Sequence, residues 1–349
     1  VNKADVIIIC LPTPLKNKKP DLSFIKNCID GIMPFLKEGQ TLILESTVYP
    51  YATDEILITK LKRKFNLGKN FFVGYSPERE NPGDKNFSYQ KTPKVVSGKT
   101  KECAEIVEKI YKLISKKVYL CPSIEVAETS KLLENIYRAI NIGLINEFKL
   151  ICKRLNLDVF EVIEAASTKN FGFQKFLPGP GWGGHCIPID PFYLAWKSKQ
   201  TGYDPKLIFA AGEINTIMTK QIFKEISNFF KNKKIKILIL GLSYKKNVDD
   251  DRESPAYEFF KLFHKKKIYF DYFDPYFTNT TVGRVNKIYK RSIKFNEKNL
   301  KKYDATLIVT DHDNIDYLKL YKYSKHIFDS RGIMKAYIKN DILKKISYV

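Results

Sequence analysis

The sequence is poor in the residues that build metal centres and disulfide frameworks. It has four histidines and six cysteines, the latter scattered at 10, 28, 103, 121, 152 and 186 without a C-x-x-C pair. That scatter argues against a zinc or thioredoxin-type motif. It suits reduced thiols, so no metal and a cytoplasmic setting are expected. No run of ~18 or more apolar residues occurs, which leaves no spanning helix, and no signal peptide is visible. Arginine is scarce beside lysine, which carries most of the +22 net charge in short clusters such as KNKKIK and FHKKKI. Base edges are read mainly by arginine, so no specific nucleic-acid partner is expected; a positive surface still attracts small anions. One more absence concerns the opening: no G-x-G-x-x-G stands between a first strand and a first helix, where a dinucleotide fold carries it.

What is present is an α/β chain. With 44% apolar residues in 349 it can bury two or three cores. ADVIIICLP, QTLILEST, NFFVGYS, KVVSG and KVYLCP read as strands. Helical stretches at Ser23–Leu36, about Thr53–Lys64 and KECAEIVEKIYKLI separate them, giving a mostly parallel sheet. Residues 124–155 read as one helix, 158–175 as a shorter helix and loop, and 205–230 as another long helix. A second α/β unit begins at KIKILILGLSY and continues through IYFDYFDP, DATLIVTD and KHIFDSRG. The expected domains are 1–122, 123–231 and 232–349. The first strand ends in LPTPL, like a later strand of its sheet. Two further βαβ units of about 30 residues each are therefore expected upstream. Lacking their glycine loop and helix N-terminus, this stretch is expected to hold NAD weakly or not at all.

The densest cue is GPGWGGHCIPIDP at 179–191. Bare backbone lets a ligand approach main-chain N–H groups. Cys186 beside it is either a nucleophilic thiolate or a small buried residue. Asp190, with Pro191 after it, reads as a helix N-cap or as an orienter of water near the thiol. Lys131 and Asn135 lie four apart on one helix face, either solvated or aimed at a developing oxyanion. Glu78, Thr47 and Ser46 fall at carboxyl ends of predicted strands, where such sheets bind ligands, though a turn can hold such residues without function. Lys245 and Arg252 follow the first strand of the last domain, where they could grip phosphate, with Asp249, Asp250 and Asp251 among them.

Taken together, CLPTPL, ESTVYP, YSPERENPGD, AETSKLLENIYRAINIGLINE, ASTKNFGF, GPGWGGHCIPIDPFYL, AGEIN, GLSYKKNVDDDRESP and FDSRG resemble, in order, the motifs of the nucleotide-sugar 6-dehydrogenases. These are the UDP-glucose and UDP-N-acetylhexosamine dehydrogenases, and the likeness runs along essentially the whole chain. It implies two Rossmann-like doubly wound domains, the first incomplete here, joined by a central helical dimerisation region. It implies two NAD-dependent oxidations at C6 of a UDP-sugar, nearest in motif to UDP-N-acetylglucosamine. UDP-glucose, UDP-N-acetylmannosamine and UDP-N-acetylgalactosamine remain alternatives.

The resemblance implies that Cys186 forms a thiohemiacetal and then a thioester, with Asp190 on the water, Lys131 on the oxyanion and Asn135 supporting them. Glu78 would act in acid/base steps, and Thr47 would hold water or cofactor. Phe176, Gly179, Gly181, Gly183, Gly184 and Lys245 would hold the UDP-sugar; Thr13, Ser46 and Arg252 would meet NAD. The chain departs from the pattern at Trp182, which is expected to narrow the sugar loop, at Tyr51 in place of glycine, and at Pro82 in place of a second glutamate. A cysteine hydrolase or acyltransferase would need a base, and His185 is too close in sequence to serve. A polyanion-binding protein is suggested by charge alone.

Overall fold

The computed structural model describes residues 1–17, 19–80, 90–184, 186–231, 233–283 and 286–349. Pro82 and His185 therefore lie outside the described residues. The chain opens with β1 (Val6–Ile9), a small antiparallel hairpin of β2 (Leu15–Lys16) and β3 (Lys19–Pro20), α1 (Ser23–Ile32) and β4 (Thr41–Leu44). A π-helical turn over Asp54–Ile58 leads into α2 (Thr59–Leu61), then β5 (Phe72–Tyr75), β6 (Lys94–Gly98), α3 (Lys101–Lys112) and β7 (Val118–Leu120). Helices follow: α4 (Ile124–Arg154), α5 (Val159–Ser167), α6 (Asp190–Gln200) and α7 (Lys206–Phe229). The last third alternates β8 (Lys236–Leu240), α8 (Pro255–Lys265), β9 (Tyr269–Phe273), α9 (Glu297–Leu300), β10 (Ala305–Ile308), α10 (Tyr317–Tyr323), β11 (Ile327–Asp329), α11 (Met334–Tyr337) and β12 (Ile346–Tyr348). Two compact units result, Val1–Tyr137 with Ile189–Ile208, and Arg138–Pro188 with Phe209–Val349.

The sheet of the first unit has the order β1-β4-β5-β6-β7. β1, β4 and β5 run parallel, β6 runs antiparallel to β5, and β7 is parallel to β6. β4 is buried along its whole length, as an apolar run between two parallel neighbours must be. α3 starts where the Thr100 hydroxyl accepts from Cys103 N–H. Its Cys103, Val107 and Tyr111, four apart, turn one buried face to the sheet. α1 stops short of the predicted Leu36. Pro34 cannot donate to an α-helical ladder, so the end tightens to a 3₁₀ turn over Met33–Phe35.

The sheet of the second unit is wholly parallel, in the order β12-β11-β10-β8-β9. Counted from β8 this is the 2-1-3-4-5 arrangement, whose connections reverse direction between β8 and β10. α8 begins with the Ser254 hydroxyl accepting from Ala256 N–H and Pro255 at its first position. Its Phe259, Phe260 and Phe263 pack with Ile237, Ile239, Phe270 and Tyr272. The α/β class and the helical middle agree with the sequence reading. β12 was not foreseen: ISY is three half-buried residues without alternation.

Candidate functional site

Each unit gathers part of the predicted residues. In the first, α4 presents Lys131 and Asn135 one turn apart, and α6 begins with Asp190. All three are buried, Lys131 at 9% exposure and Asp190 at 2%. Asn135 Nδ2 donates to Asp190 Oδ2 at 2.6 Å. Burial pushes the Asp190 carboxyl up to about 7, against the opposing pull of the Lys131 charge and the Asn135 bond. The N-cap reading of Asp190 is corrected here. The cap position is Ile189, with no side-chain capping bond, and the Asp190 carboxylate is turned instead to Asn135. A carboxyl poised near neutrality beside an ammonium and an amide donor can hold and pass a proton.

One turn before Lys131, Glu128 is fully buried and accepts from Tyr51 N–H at 2.6 Å, Thr53 N–H at 2.9 Å and the Thr53 hydroxyl at 2.6 Å. Desolvation raises its carboxyl to about 7 as well. It pins the bend after β4, where Tyr51 stands at φ +75°. Glycine fits that conformation without strain, whereas tyrosine holds it at a cost. Residues 128, 131 and 135 share one helix face, a polar stripe the sequence could have revealed.

Thr13, Ser46, Thr47 and Glu78 lie at the carboxyl edge of β1, β4 and β5. Thr13 is buried and Thr47 half-buried. The Ser46 hydroxyl accepts from Leu11 N–H at 2.8 Å and donates to Leu11 O at 2.7 Å, which latches the loop after β1 to β4. Loops after parallel strands are where open α/β sheets take nucleotides, so this edge fits a dinucleotide. Glu78 Oε1 accepts from the amides of Arg79 and Glu80, and its Oε2 meets the ammonium of Lys94 at 2.8 Å. Sequence reasoning missed Lys94 because a parallel β6 would have carried its first residue to the opposite edge.

In the second unit the loop residues 176–184 fold against the carboxyl edge of the sheet. Gly179 N–H donates to Asn146 Oδ1 at 2.9 Å, and the Thr219 hydroxyl donates to Pro180 O at 2.9 Å. Gly184 N–H donates to Arg252 O at 2.9 Å. At Gly183 an added Cβ would stand 2.8 Å from Tyr244 Cβ, and at Gly184, with φ +81°, 2.7 Å from the Tyr244 ring. Here the glycines let the loop close on its own protein, a use additional to the ligand approach expected of them. Cys186 is exposed, which removes the buried-thiol alternative.

A cleft of about 260 Å³ opens at the point between β8 and β10 where the connections reverse. Gly179, Gly181, Gly183, Tyr244, Lys245 and Arg331 line it. A second hollow of about 280 Å³ includes Asn215, Thr219 and Glu258; Trp182 lines both. Phe176 is half-buried and packs with the α4–α5 cluster. Burial, then Asp250 and Cys186, push the Tyr244 phenol up. Arg252 is exposed and held by Asp250, Nη2 to Oδ2 at 2.6 Å. Asp251 accepts from the Tyr257 hydroxyl, so two of the three aspartates are engaged within the protein. Among the described residues no helix is long and apolar enough to cross a membrane, and no group of three or more His, Cys, Asp or Glu could hold a metal ion.

Residues 1–115 match the NAD binding domain of the UDP-glucose/GDP-mannose dehydrogenase family, 125–217 its central domain and 238–336 its UDP binding domain. The chain is 36% identical over 356 residues to Protein CapL of Staphylococcus aureus, covering 96% of this chain and 81% of that protein. It is 38% identical over 285 residues to the UDP-N-acetyl-D-glucosamine 6-dehydrogenase of Pseudomonas aeruginosa, covering 79% and 67%. The solved structure of UDP-D-ManNAc dehydrogenase from Pyrococcus horikoshii superposes with a TM-score of 0.83 at 30% identity, covering 95% of this chain and 78% of that one.

Proposed function

The chain belongs to the UDP-glucose/GDP-mannose dehydrogenase family of NAD-dependent oxidoreductases, and we propose that it oxidises C6 of UDP-N-acetylglucosamine to the uronic acid through Cys186. The observation that carries this reading is the buried Lys131–Asn135–Asp190 group, with a carboxyl near 7 beside an ammonium. When bound, NAD accepts a hydride in each of two oxidations. The Cys186 sulfur adds to the aldehyde, and the resulting thiohemiacetal is oxidised to a thioester, which prevents loss of the aldehyde between steps. Lys131, a fixed and buried ammonium, stabilises the oxyanion. Asp190, steered by Asn135, takes a proton from the attacking water. The C–S bond breaks, and the thiolate leaves and is reprotonated. Glu78 serves as a further acid/base group and Thr47 holds the water. Thr13 and Ser46 would line the nicotinamide side of a bound NAD, and Arg252 would reach it.

The glycine loop, Phe176 and Lys245 hold the UDP-sugar in the cleft at the reversal between β8 and β10, a position typical for nucleotides in such sheets. The Pseudomonas relative supports UDP-N-acetylglucosamine. The Pyrococcus structure favours UDP-N-acetylmannosamine as the second reading. We retain the domain division 1–122, 123–231 and 232–349. Exposed Leu133, Tyr137, Leu144 and Ile151 recur along α4 and support a homodimer there; a Leu144→Glu chain that stays dimeric would count against it. The assay is NADH yield per sugar, with the enzyme expressed from its complete reading frame. Two NADH per UDP-N-acetylglucosamine are expected; a yield of one, or faster turnover of the manno epimer, overturns the reaction or the substrate respectively.

A further inference from the structure

At the carboxyl edge of the first unit's sheet a buried ammonium stands between two carboxylates. Because β6 runs antiparallel to β5, its first residue arrives beside the residues that follow β1, β4 and β5. That residue is Lys94, whose side chain is 3% exposed, with Nζ 2.8 Å from Glu78 Oε2 and 3.2 Å from Glu45 Oε1. The Tyr111 ring lies 5.4 Å from the same Nζ, and the Tyr111 hydroxyl donates to Glu45 Oε1 at 2.5 Å. The Cys10 thiol donates to Glu45 Oε2 at 3.4 Å. A buried ammonium needs one close carboxylate to offset its desolvation, and Glu45, itself held by Tyr111 and Cys10, is that carboxylate. Glu78 is the second. Its side chain is 44% exposed, so burial does not demand its pairing. What the contact does is fix direction: one Glu78 oxygen rests on two backbone amides and the other on Lys94.

We propose that Lys94 is a positioning residue for Glu78, holding its carboxylate aimed at the sheet edge while Glu45 offsets the burial of the ammonium. The inference rests on the reading of Glu78 as an acid/base group in thioester hydrolysis. Among the described residues, the groups around Glu78 come from four elements and its own chain neighbours. Lys94 comes from β6, Glu45 follows β4, Cys10 follows β1, and Tyr111 belongs to α3. Arg79 and Glu80 are its chain neighbours, and Arg79 is paired with Glu134 of α4 at 2.8 Å. Burial, then Glu45, push the Cys10 thiol up to about 11, so it adds no charge near neutrality. The bond and charge of Lys94 outweigh burial at Glu78 and hold its carboxyl below the usual range.

The test is the pH profile of acid formation, followed beside the first burst of NADH. Asp190 bends the acid side of the profile near 7; below it lies the acid limb set by Glu78, which in Lys94→Met should move up by ~1 pH unit, so that the rate on that limb falls roughly tenfold. The burst should be unchanged, and Lys94→Arg should return the limb. Should Lys94→Met fail to fold, Lys94→Met with Glu45→Gln removes both buried charges, and the same displacement is expected. A limb that coincides with wild type in the folded variant, or a burst that falls in step with the steady state at every pH, overturns the proposal. Glu78→Gln separates the premises. If it leaves the limb in place, the role of Glu78 is wrong; if it erases the limb while Lys94→Met does not move it, only the role of Lys94 is.

Discussion

The two units carry the same architectural device, the carboxyl edge of an α/β sheet, and put its buried charges to different uses. The first edge and its adjoining helices hold buried titratable side chains: Lys131, Asp190, Glu128 and Lys94. The second also buries titratable groups, the Asp274–His312 pair and Asp329, but their carboxylates accept N–H groups of the protein's own loops, and the cations it presents, such as Lys245 and Arg252, are half-buried or exposed. Burial tunes protonation, whereas bare backbone and solvent-facing cations bind anions without altering their chemistry. On the proposed reading the second unit supplies the Cys186 sulfur and captures the substrate, while the proton-handling groups of turnover belong to the first. Variants of the first should lower kcat, and variants of the second, Cys186 apart, should raise KM.

The largest effect is expected at Lys131. Lys131→Met should reduce kcat by roughly 10²–10³ while the affinity for UDP-sugar, read by calorimetry, stays within about threefold. Equal losses in both would break the contrast. Next comes Asp190→Asn, which keeps the acceptor for Asn135. Its kcat should fall by roughly 10² or more. Its stability should move the other way, with a sign fixed by linkage. The folded-state carboxyl, near 7, lies above its ordinary 3.8. The stability it contributes is therefore full below about pH 4 and is lost as pH rises through 7. Asp190→Asn should match wild type in thermal melts near pH 4 and melt higher at pH 8; a difference independent of pH would contradict the burial argument.

At the second edge, Lys245→Ala should raise KM for the UDP-sugar about tenfold with kcat nearly intact, consistent with one charge-assisted bond. Gly184→Ala should do the same through the loop, since its Cβ would meet the Tyr244 ring. A kcat effect from either would mean that this edge also shapes the reacting centre. The smallest effect is expected at Tyr51, on the bend that Glu128 pins. Tyr51→Gly relieves a left-handed residue at φ +75° and should stabilise by ~0.5–1 kcal/mol without changing kcat or KM. A loss of stability in melts would mean that the tyrosine side chain earns its place.

Much of this was legible in the sequence, for definite reasons. VIII, TLIL and KILIL are apolar runs of strand length, which buried parallel strands show; β4 and β8 are buried accordingly, whereas β1, at the edge of its sheet, leaves Ile8 exposed, against the expectation of a strand buried on both faces. The glycine loop and the Lys131–Asn135 spacing were legible because glycine and a four-residue interval each have few structural meanings. The direction of β6 was not. KVVSG carries the same pattern either way, and only pairing with β5 turns Lys94 toward Glu78. Asp190 misled because a helix start with proline beside it favours a cap. Its bond to Asn135 joins positions 55 residues apart, beyond any local pattern.

The account stands on Cys186 carrying the oxidised sugar, and the mass of that residue tests it most directly. Glu78→Gln protein incubated with UDP-N-acetylglucosamine and NAD⁺ should hold the acyl group, because release is the step it slows. The peptide containing Cys186 should gain the mass of the UDP-sugar less four hydrogens, in an adduct that hydroxylamine removes. Acid formed at the wild-type rate by Cys186→Ser, or an adduct found on any other residue, would contradict it.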